Sequence, residues 1–225
     1  MQQTEAQTLP FTRTETERTL DYNGEPVLSY SLCRPVFPKD GPTARLERYF
    51  AQMARGWQER WEKVLYQRAC AALCAAREAS RPFESWQARL EFTVTWWEEP
   101  LLSLYLDAKE RTSVRRPVIS RQGETWNCAT GWPRTLRSFF PPGDHRWRSQ
   151  VIRQLQESAL ERLDSGESLL DPDCAHTLSR TFDPERFYLT GQGLVIFYPL
   201  YLLGPFAEGL PTFTIPLPEP VPDGT

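Results

Sequence analysis

The residues that could perform catalysis are few. A nucleophilic triad needs a histidine base, and the chain has only His145 and His176. His145 lies beside Asp144 at the predicted start of a helix, and the Gly-x-Ser-x-Gly turn of many hydrolases does not occur. The carboxylate pairs at 98–99 and 171/173 fall in a predicted turn and at a predicted helix start, where solvation and capping account for them. We therefore predict no catalytic residue and no enzyme.

Metal and cofactor sites are not predicted either. Cys174 and His176 offer two ligands, whereas a structural zinc site needs about four, so we expect a buried thiol beside a surface imidazole. Cys70 and Cys74, four residues apart on a predicted helix, are either a shared ligand pair or small buried residues. The glycines of 191–193 precede a strand, whereas a dinucleotide site needs a helix start.

Charge is distributed unevenly along the chain. Residues 109–153 carry a net charge of +7 and residues 154–225 one of −8, within a total of −3. Arginine interleaved with tryptophan can bind phosphate, carboxylate-rich glycan or nucleic acid. The alternative, which we favour, is that these arginines pair internally with the acidic segment. Trp57, Trp61 and Trp96 follow apolar stripes and are expected in the core, whereas Trp97, Trp126 and Trp132 are expected at surface turns. The candidate ligand-binding residues are Arg115, Arg116, Trp126 and Trp132.

Composition limits the class of protein. The chain has 225 residues, 40% of them hydrophobic and 24% charged, which suits one medium domain or two small ones. The small net charge argues against a globally basic nucleic-acid binder, so nucleic acid is an unlikely partner. The start of the chain lacks the pattern of a secretory signal, and the longest apolar run, 194–203, is about half a bilayer span. Five cysteines without a CxxC pair favour a reducing compartment. As written, the sequence predicts a cytoplasmic protein without a membrane segment.

Hydrophobic periodicity predicts the elements of the N-terminal half. Asn23-Gly24 between strand-like runs predicts a β-hairpin. Apolar residues at helical spacing from Pro42 to Pro82 predict one helix of about 38 residues, too long to be regular, with a break near Cys70. Alternating residues at 88–96 and 102–108 predict an antiparallel pair joined at 98–100, and 118–125 predicts a third strand.

In the C-terminal half, Asp144 is expected to cap a second amphipathic helix that ends at Gly166. Asp171-Pro172 is expected to start a short helix, and strands are predicted at 186–189, 194–198 and 212–217. These last strands are expected to join the main sheet over the two helices. The predicted fold class is α+β, with an antiparallel or mixed sheet packed against one long and one medium helix. We predict a disordered lead-in at 1–12, one domain at 13–218 with two lobes at 13–100 and 101–218 as an option, and a frayed tail at 219–225.

The tail also carries a family signature. Residues 187–198, Tyr201, 204–209 and 213–216 resemble the C-terminal pattern of the RsiV-type domain, and 125–140 resembles an upstream segment of that family. The resemblance covers about 15–218 and is weak before Leu101. One ligand-facing segment of the family is replaced here by 112–117.

The resemblance implies a non-enzymatic binding or sensing module. Members occur as the extracytoplasmic part of lysozyme-binding anti-sigma factors and as accessory domains of peptidoglycan deacetylases. The implied ligand is a lysozyme-like protein or a cell-wall glycan. The residues themselves offer an alternative, an anionic polymer or acidic partner bound through 109–153. The sequence leaves the oligomeric state open.

Overall fold

The structure is a computed structural model that describes residues 9–112, 116–166 and 168–218. The predicted frayed tail and residues 1–8 of the predicted lead-in lie outside these ranges. The end of the lead-in is ordered, because Phe11 packs against Phe37 and Thr12 begins a strand. Within them the chain forms a mixed six-stranded sheet, a separate three-stranded sheet and several helices. The predicted α+β class is confirmed. No helix of the described ranges combines the length and the apolar character needed to cross a bilayer.

The first two strands form the predicted hairpin. Strand β1 (Thr12–Tyr22) pairs antiparallel with β2 (Glu25–Val36). The two turn residues, Asn23 and Gly24, have φ of 53° and 80°. Positive φ at both positions matches the right-handed twist of the flanking strands, and asparagine and glycine tolerate it best.

The long helix is continuous but contains a π-helical segment between two α-helical ones. It consists of α1 (Ala44–Glu59), a π-helical segment (Arg60–Leu65) and α2 (Tyr66–Glu78). The predicted irregularity therefore exists, but its predicted position near Cys70 is wrong. Cys70 lies in regular α-helix, and the π-helical segment contacts side chains that are distant in sequence.

The remaining strands of the large sheet follow in chain order. They are β3 (Trp86–Glu98), β4 (Leu101–Arg111), β5 (Val118–Asn127) and the short β6 (Trp132–Pro133), and the sheet order is β1-β2-β3-β4-β5-β6. The pair β2 and β3 is parallel because the long helix connects them. The pair β3 and β4 is joined by two residues, a connection that only antiparallel strands can make, as predicted.

The C-terminal strands form a sheet of their own. Strands β7 (Phe187–Thr190), β8 (Gly193–Phe197) and β9 (Thr212–Ile215) pair antiparallel in that order. Their predicted existence is confirmed, whereas the expectation that they join the main sheet is wrong. Strands β7 and β8 are almost fully buried on both faces. The face formed by Phe187, Leu189, Leu194 and Ile196 packs with α3, and the opposite face packs with Tyr105.

Two helices precede this small sheet. Helix α3 (Trp147–Ser165) follows a 3-10 turn at Leu136–Phe139 and ends at Gly166, as predicted, and Gly166 has a left-handed φ of 70°. Asp144 does not cap α3 directly. Its carboxylate accepts from the Arg146 amide at 2.7 Å in the turn before the helix. Helix α4 (Cys174–Arg180) starts close to the predicted Asp171-Pro172 signal.

The chain divides into two compact units. Unit 1 comprises the chain up to Thr93, Leu106–Arg121 and Cys128–Gly131; unit 2 comprises Val94–Tyr105, Gln122–Asn127 and the chain from Trp132 onwards. Strands β3, β4 and β5 contribute residues to both units.

A buried serine joins two strand layers inside unit 2. Ser103 is fully buried, and its hydroxyl lies 2.8 Å from the Thr125 hydroxyl. The Leu189 amide donates to the same Ser103 oxygen at 2.8 Å. Ser103 therefore satisfies a backbone donor of β7 that has been removed from water.

The substitution Ser103→Ala is expected to lower the free energy of unfolding by about 1–3 kcal/mol, because a buried amide loses its acceptor. Urea denaturation measures this loss. Ser149→Ala is the control, since Ser149 is an exposed residue of α3. Equal stability of the two variants would contradict this account of Ser103.

Candidate functional site

A pocket of about 580 Å³ opens on the large sheet within unit 1, and we call it the β-sheet pocket. It is formed by β1 to β4 and the chain just before β5. Its lining includes four basic residues and one carboxylate among polar and apolar side chains: Glu17, Arg18, Thr19, Ser29, Tyr30, Ser31, Gln87, Ala88, Arg89, Lys109, Arg111 and Pro117.

Strand register places short polar side chains in the middle of this pocket. Thr19 is opposite Ser29, and Ser29 is opposite Gln87. Because directly opposite residues share a face, these three side chains form one row across three strands. The Thr19 and Ser29 hydroxyls lie 3.0 Å apart. A second, parallel row is formed in the same way by Glu17, Ser31 and Arg89.

Three cations of β3 and β4 line the pocket, one of them the Arg89 of the second row. Arg89 Nε lies 3.0 Å from Glu91 Oε2, and Lys109 bonds to the same carboxylate. Arg111 bonds to Glu84. The hydrogen bond from Lys109 lowers the pKa of Glu91 below its usual value, despite partial burial of the carboxyl. The Arg89, Lys109 and Arg111 side chains keep 55%, 41% and 52% exposure, so these cations are only partly shielded from solvent by their carboxylate partners.

Two further lining residues are hydrogen-bonded to the long helix. Tyr30 donates its hydroxyl to Glu62 Oε1 at 2.5 Å, and Arg18 Nη1 donates to the same oxygen at 2.6 Å. Gln58 adds a third donor at 3.0 Å. The hydrogen bond from Tyr30 is the main reason why the pKa of Glu62 is lowered. Glu62 thus fixes one edge of the pocket.

The π-helical segment that contains Glu62 also makes a second set of contacts. Arg60 Nε and Trp61 Nε1 both donate to Glu110 Oε1, at 2.9 and 3.1 Å. Trp61 is fully buried against Tyr30, with ring centroids 5.6 Å apart. Because a π turn contains an extra residue, three consecutive side chains, 60 to 62, contact β1, β2 and β4.

The predicted ligand-binding residues do not form one site. Arg115 lies outside the described residues. Arg116 is exposed and directly precedes Pro117, a pocket residue. Trp126 is not a turn residue as expected. It lies in β5, is 4% exposed, and donates from Nε1 to Glu124 at 2.9 Å. Trp132 is 59% exposed in β6.

The two tryptophans face opposite ways. Trp132 is paired with Asn127, the neighbour of Trp126, so strand alternation directs Trp126 and Trp132 to opposite faces of the sheet. Trp97 was also expected in a turn, but it lies in β3 and is partly buried. The turn prediction failed because β3 and β5 are longer than the alternating patterns that predicted them.

The favoured prediction, that the basic residues of 109–153 pair with the acidic C-terminal segment, is wrong for most of the ion pairs that they form. Arg121 bonds to Asp107 with two contacts of 2.8 Å. Lys109 and Arg111 use Glu91 and Glu84, as described above. Arg153 is the exception, 3.9 Å from Glu157 on α3. Strand pairing decides these partners, and it is not visible in the distribution of charge along the chain.

The remaining candidates do not assemble a chemical site. Cys174 is fully buried and burial raises the pKa of its thiol, while His176 is exposed, as predicted. Cys74 is exposed, so the interpretation of Cys70 and Cys74 as buried core residues is wrong for Cys74. Each of the five cysteines is a free thiol. In the described part of the chain, no three His, Cys, Asp or Glu residues cluster as metal ligands.

Two solved structures of one class, the DUF3298 proteins, have a fold similar to this one. A DUF3298 family member from Bacteroides fragilis superposes with a TM-score of 0.61 at 18% identity, covering 92% of this chain and 89% of that one. A DUF3298 family protein from Pseudomonas aeruginosa gives 0.59 at 17% identity, covering 93% and 91%. At such identities the likeness concerns the fold.

The sequence agrees with this class in its C-terminal part. Residues 138–217 match the family model described as a protein of unknown function, DUF3298. The similarity in sequence is therefore to a domain of unknown function, and it is limited to this segment. No curated protein matches the sequence. The narrower RsiV-type resemblance stays a prediction.

Proposed function

We propose that this protein is a non-enzymatic binding module whose β-sheet pocket holds a cell-wall glycan that carries carboxylates. The observation behind the proposal is the combination, in one pocket, of the Thr19–Ser29–Gln87 row with three accessible cations. Hydroxyl and amide side chains both donate and accept hydrogen bonds, which suits sugar hydroxyls. Guanidinium groups suit the carboxylates of such a glycan.

An anionic polymer without sugar specificity is the second candidate. The excess of cations in the pocket lining supports it, since four basic residues line the pocket with one carboxylate, Glu17. The ion-pair partners of these cations, Glu62, Glu84 and Glu91, lie outside the lining. A polymer bound mainly by charge would be released by salt, with affinity falling steeply as ionic strength rises. A glycan bound through hydroxyls as well would show a shallower dependence.

A lysozyme-like protein ligand is the other option implied by the RsiV-type resemblance. Exposed acidic residues on α3, Glu157, Glu161 and Asp164, offer charge that complements a basic protein. This surface is separate in sequence from the pocket residues, so the two ligands are distinguishable by substitution.

Titration calorimetry with soluble peptidoglycan fragments tests the proposal. Arg89→Gln is expected to weaken binding about tenfold or more, because a charged hydrogen bond to the ligand is lost. Arg77→Gln is the matched control, since Arg77 is an exposed cation of α2 outside the pocket. Chitin oligomers, which lack carboxylates, are expected to bind more weakly than the fragments.

Three outcomes would contradict the glycan proposal. They are no heat with any fragment, equal losses in Arg89→Gln and Arg77→Gln, and equal affinity for chitin oligomers and carboxylate-bearing fragments. Binding to lysozyme that is insensitive to Arg89→Gln, with no fragment binding, would instead favour the protein ligand.

A further inference from the structure

Unit 2 contains a separate pocket of about 540 Å³, which we call the Arg180 pocket. It lies where α4 ends and the chain turns into β7, opposite the loop that leaves β8. Two arginines and one carboxylate line it together with apolar side chains: Arg180, Thr181, Phe182, Asp183, Pro184, Arg186, Pro199 and Leu202. None of these residues belongs to the β-sheet pocket.

The base of the Arg180 pocket is held in place by contacts from several elements. Phe182 is 5% exposed, and Arg148 of α3 donates to its carbonyl at 3.3 Å. The Arg148 guanidinium also lies over the Phe182 ring, 5.0 Å from its centroid. Below, the buried Tyr198 hydroxyl donates to the Leu178 carbonyl of α4 at 3.2 Å. The pocket is therefore built on packed side chains and not on a loose loop.

Asp183 organises the polar side of the pocket. One carboxylate oxygen accepts from the Glu185 amide at 3.0 Å. The other lies 3.3 Å from Arg186 Nε, and both side chains of this pair are about one-third exposed. Asp183 thus has a fixed orientation and still presents an acceptor to solvent.

Arg180 has no such partner. It is exposed, and no carboxylate of the described residues lies within ion-pair distance of its guanidinium. The pocket lining therefore carries one cation more than its carboxylate balances. A planar guanidinium with free donors matches a carboxylate in a two-bond geometry.

The apolar residues of the pocket lining restrict which other groups a ligand can carry. Phe182, Pro184, Pro199 and Leu202 are apolar, and neither proline has a backbone N–H to offer. A simple fatty acid would place methylene groups against Asp183 and Thr181, leaving the remaining acceptor capacity of the Asp183 carboxylate unused. A ligand with a carboxylate, an adjacent N–H and a small apolar group satisfies all three features.

We propose that the Arg180 pocket binds the free C-terminal carboxylate of a peptide that ends in small apolar residues. Arg180 holds the carboxylate, Asp183 accepts the N–H of the terminal residue, and the Pro199 and Leu202 wall covers its side chain. Capture of a chain terminus through its charge is a recurrent mode of peptide recognition. This site is independent of the glycan proposed for the β-sheet pocket.

The test is an NMR titration of the full chain with acetyl-alanyl-alanine and with its C-terminal carboxamide. The acid is expected to shift amide resonances at 180–186 and near 199–202, and to bind about tenfold or more tightly than the carboxamide. Arg180→Gln is expected to cause a loss of similar size. Arg153→Gln, which removes another exposed cation of unit 2, is expected to leave affinity unchanged.

Melting temperatures of Arg180→Gln and Arg153→Gln check that the fold is retained. We expect no change, because both arginine side chains are exposed. The proposal is overturned by equal binding of acid and carboxamide, by equal losses in the two variants, or by shifts located away from the pocket. It is also overturned if acetyl-alanyl-alanine at about 10 mM shifts no resonance. Octanoate is included because binding as tight as that of the peptide would assign the site to fatty acids instead.

Discussion

The substitution Gly123→Ala is expected to destabilise the protein by about 4 kcal/mol or more, which is the largest effect of any single change proposed. A Cβ at this position of β5 would lie 1.9 Å from the Phe187 carbonyl oxygen and 2.7 Å from its carbon. Both are backbone atoms of β7, so no side-chain rotation relieves the overlap. The small sheet would have to move away from β5, which would open the buried contact between Tyr105 and Tyr188.

Gly56→Ala is the matched control for this prediction. Gly56 lies in α1, and a Cβ there meets no atom within 4 Å. Alanine costs less than glycine in a helix interior, so this variant is expected to gain about 0.5–1 kcal/mol. The same chemical change therefore has opposite signs at the two sites. Chemical denaturation of both variants measures the difference, and a Gly123→Ala protein as stable as the parent would refute the close approach of β7 to β5.

The second large effect is expected at Glu47, a nearly buried residue of α1. Its carboxylate accepts two hydrogen bonds from Arg34, at 3.0 and 3.1 Å, and one from the Phe37 amide at 2.9 Å. The side chains of Glu47 and Arg34 are only 10% and 18% exposed. Glu47→Ala is expected to cost about 3 kcal/mol, because it leaves a largely buried guanidinium and a backbone amide without their acceptor.

Glu59→Ala is the control on the same helix. Glu59 and its partner Lys63 are 65% and 72% exposed, and such pairs contribute less than about 0.5 kcal/mol. Urea denaturation of the two variants separates the buried from the exposed carboxylate. Similar losses of unfolding free energy in the two variants would mean that the buried Glu47 carboxylate stabilises the fold no more than an exposed one.

Acid stability provides a second measurement on Glu47. Burial alone would raise the pKa of this carboxyl, but the hydrogen bonds from Arg34 and Phe37 outweigh burial and lower it below the usual 4.5. A lowered pKa in the folded state means that the stabilisation is complete above the pKa of the unfolded chain. It is lost as pH falls through the lower, folded value. Glu47→Gln is therefore expected to lose more stability at neutral pH than at about pH 3, whereas a pH-independent loss would contradict the assignment.

Local sequence patterns predicted most of the individual elements. Asn23-Gly24 determines the first hairpin because both residues accept positive φ. Two-residue alternation determines β3 and β4, and Gly166 ends α3 with a left-handed residue. These signals depend only on residues that are close in sequence, so they can be recognised without a structure.

The β-sheet pocket required the tertiary structure. Its central row joins residues of β1, β2 and β3, and the parallel register of β2 with β3 spans the whole long helix. The π-helical segment is likewise explained by Glu110, fifty residues from Arg60. No local pattern encodes either arrangement, so Ser29, Gln87 and Arg89 were not among the predicted site residues.

The amino-acid sequence by itself determined the α+β class, the identity of nearly every helix and strand, and the absence of a recognisable catalytic motif. Tertiary structure alone decided that the last strands form a separate sheet, that Trp126 is buried, and that polar residues from distant strands share one pocket. The physical reason is that hydrogen-bonding periodicity is local, whereas the choice of strand partner depends on which apolar faces can be buried together.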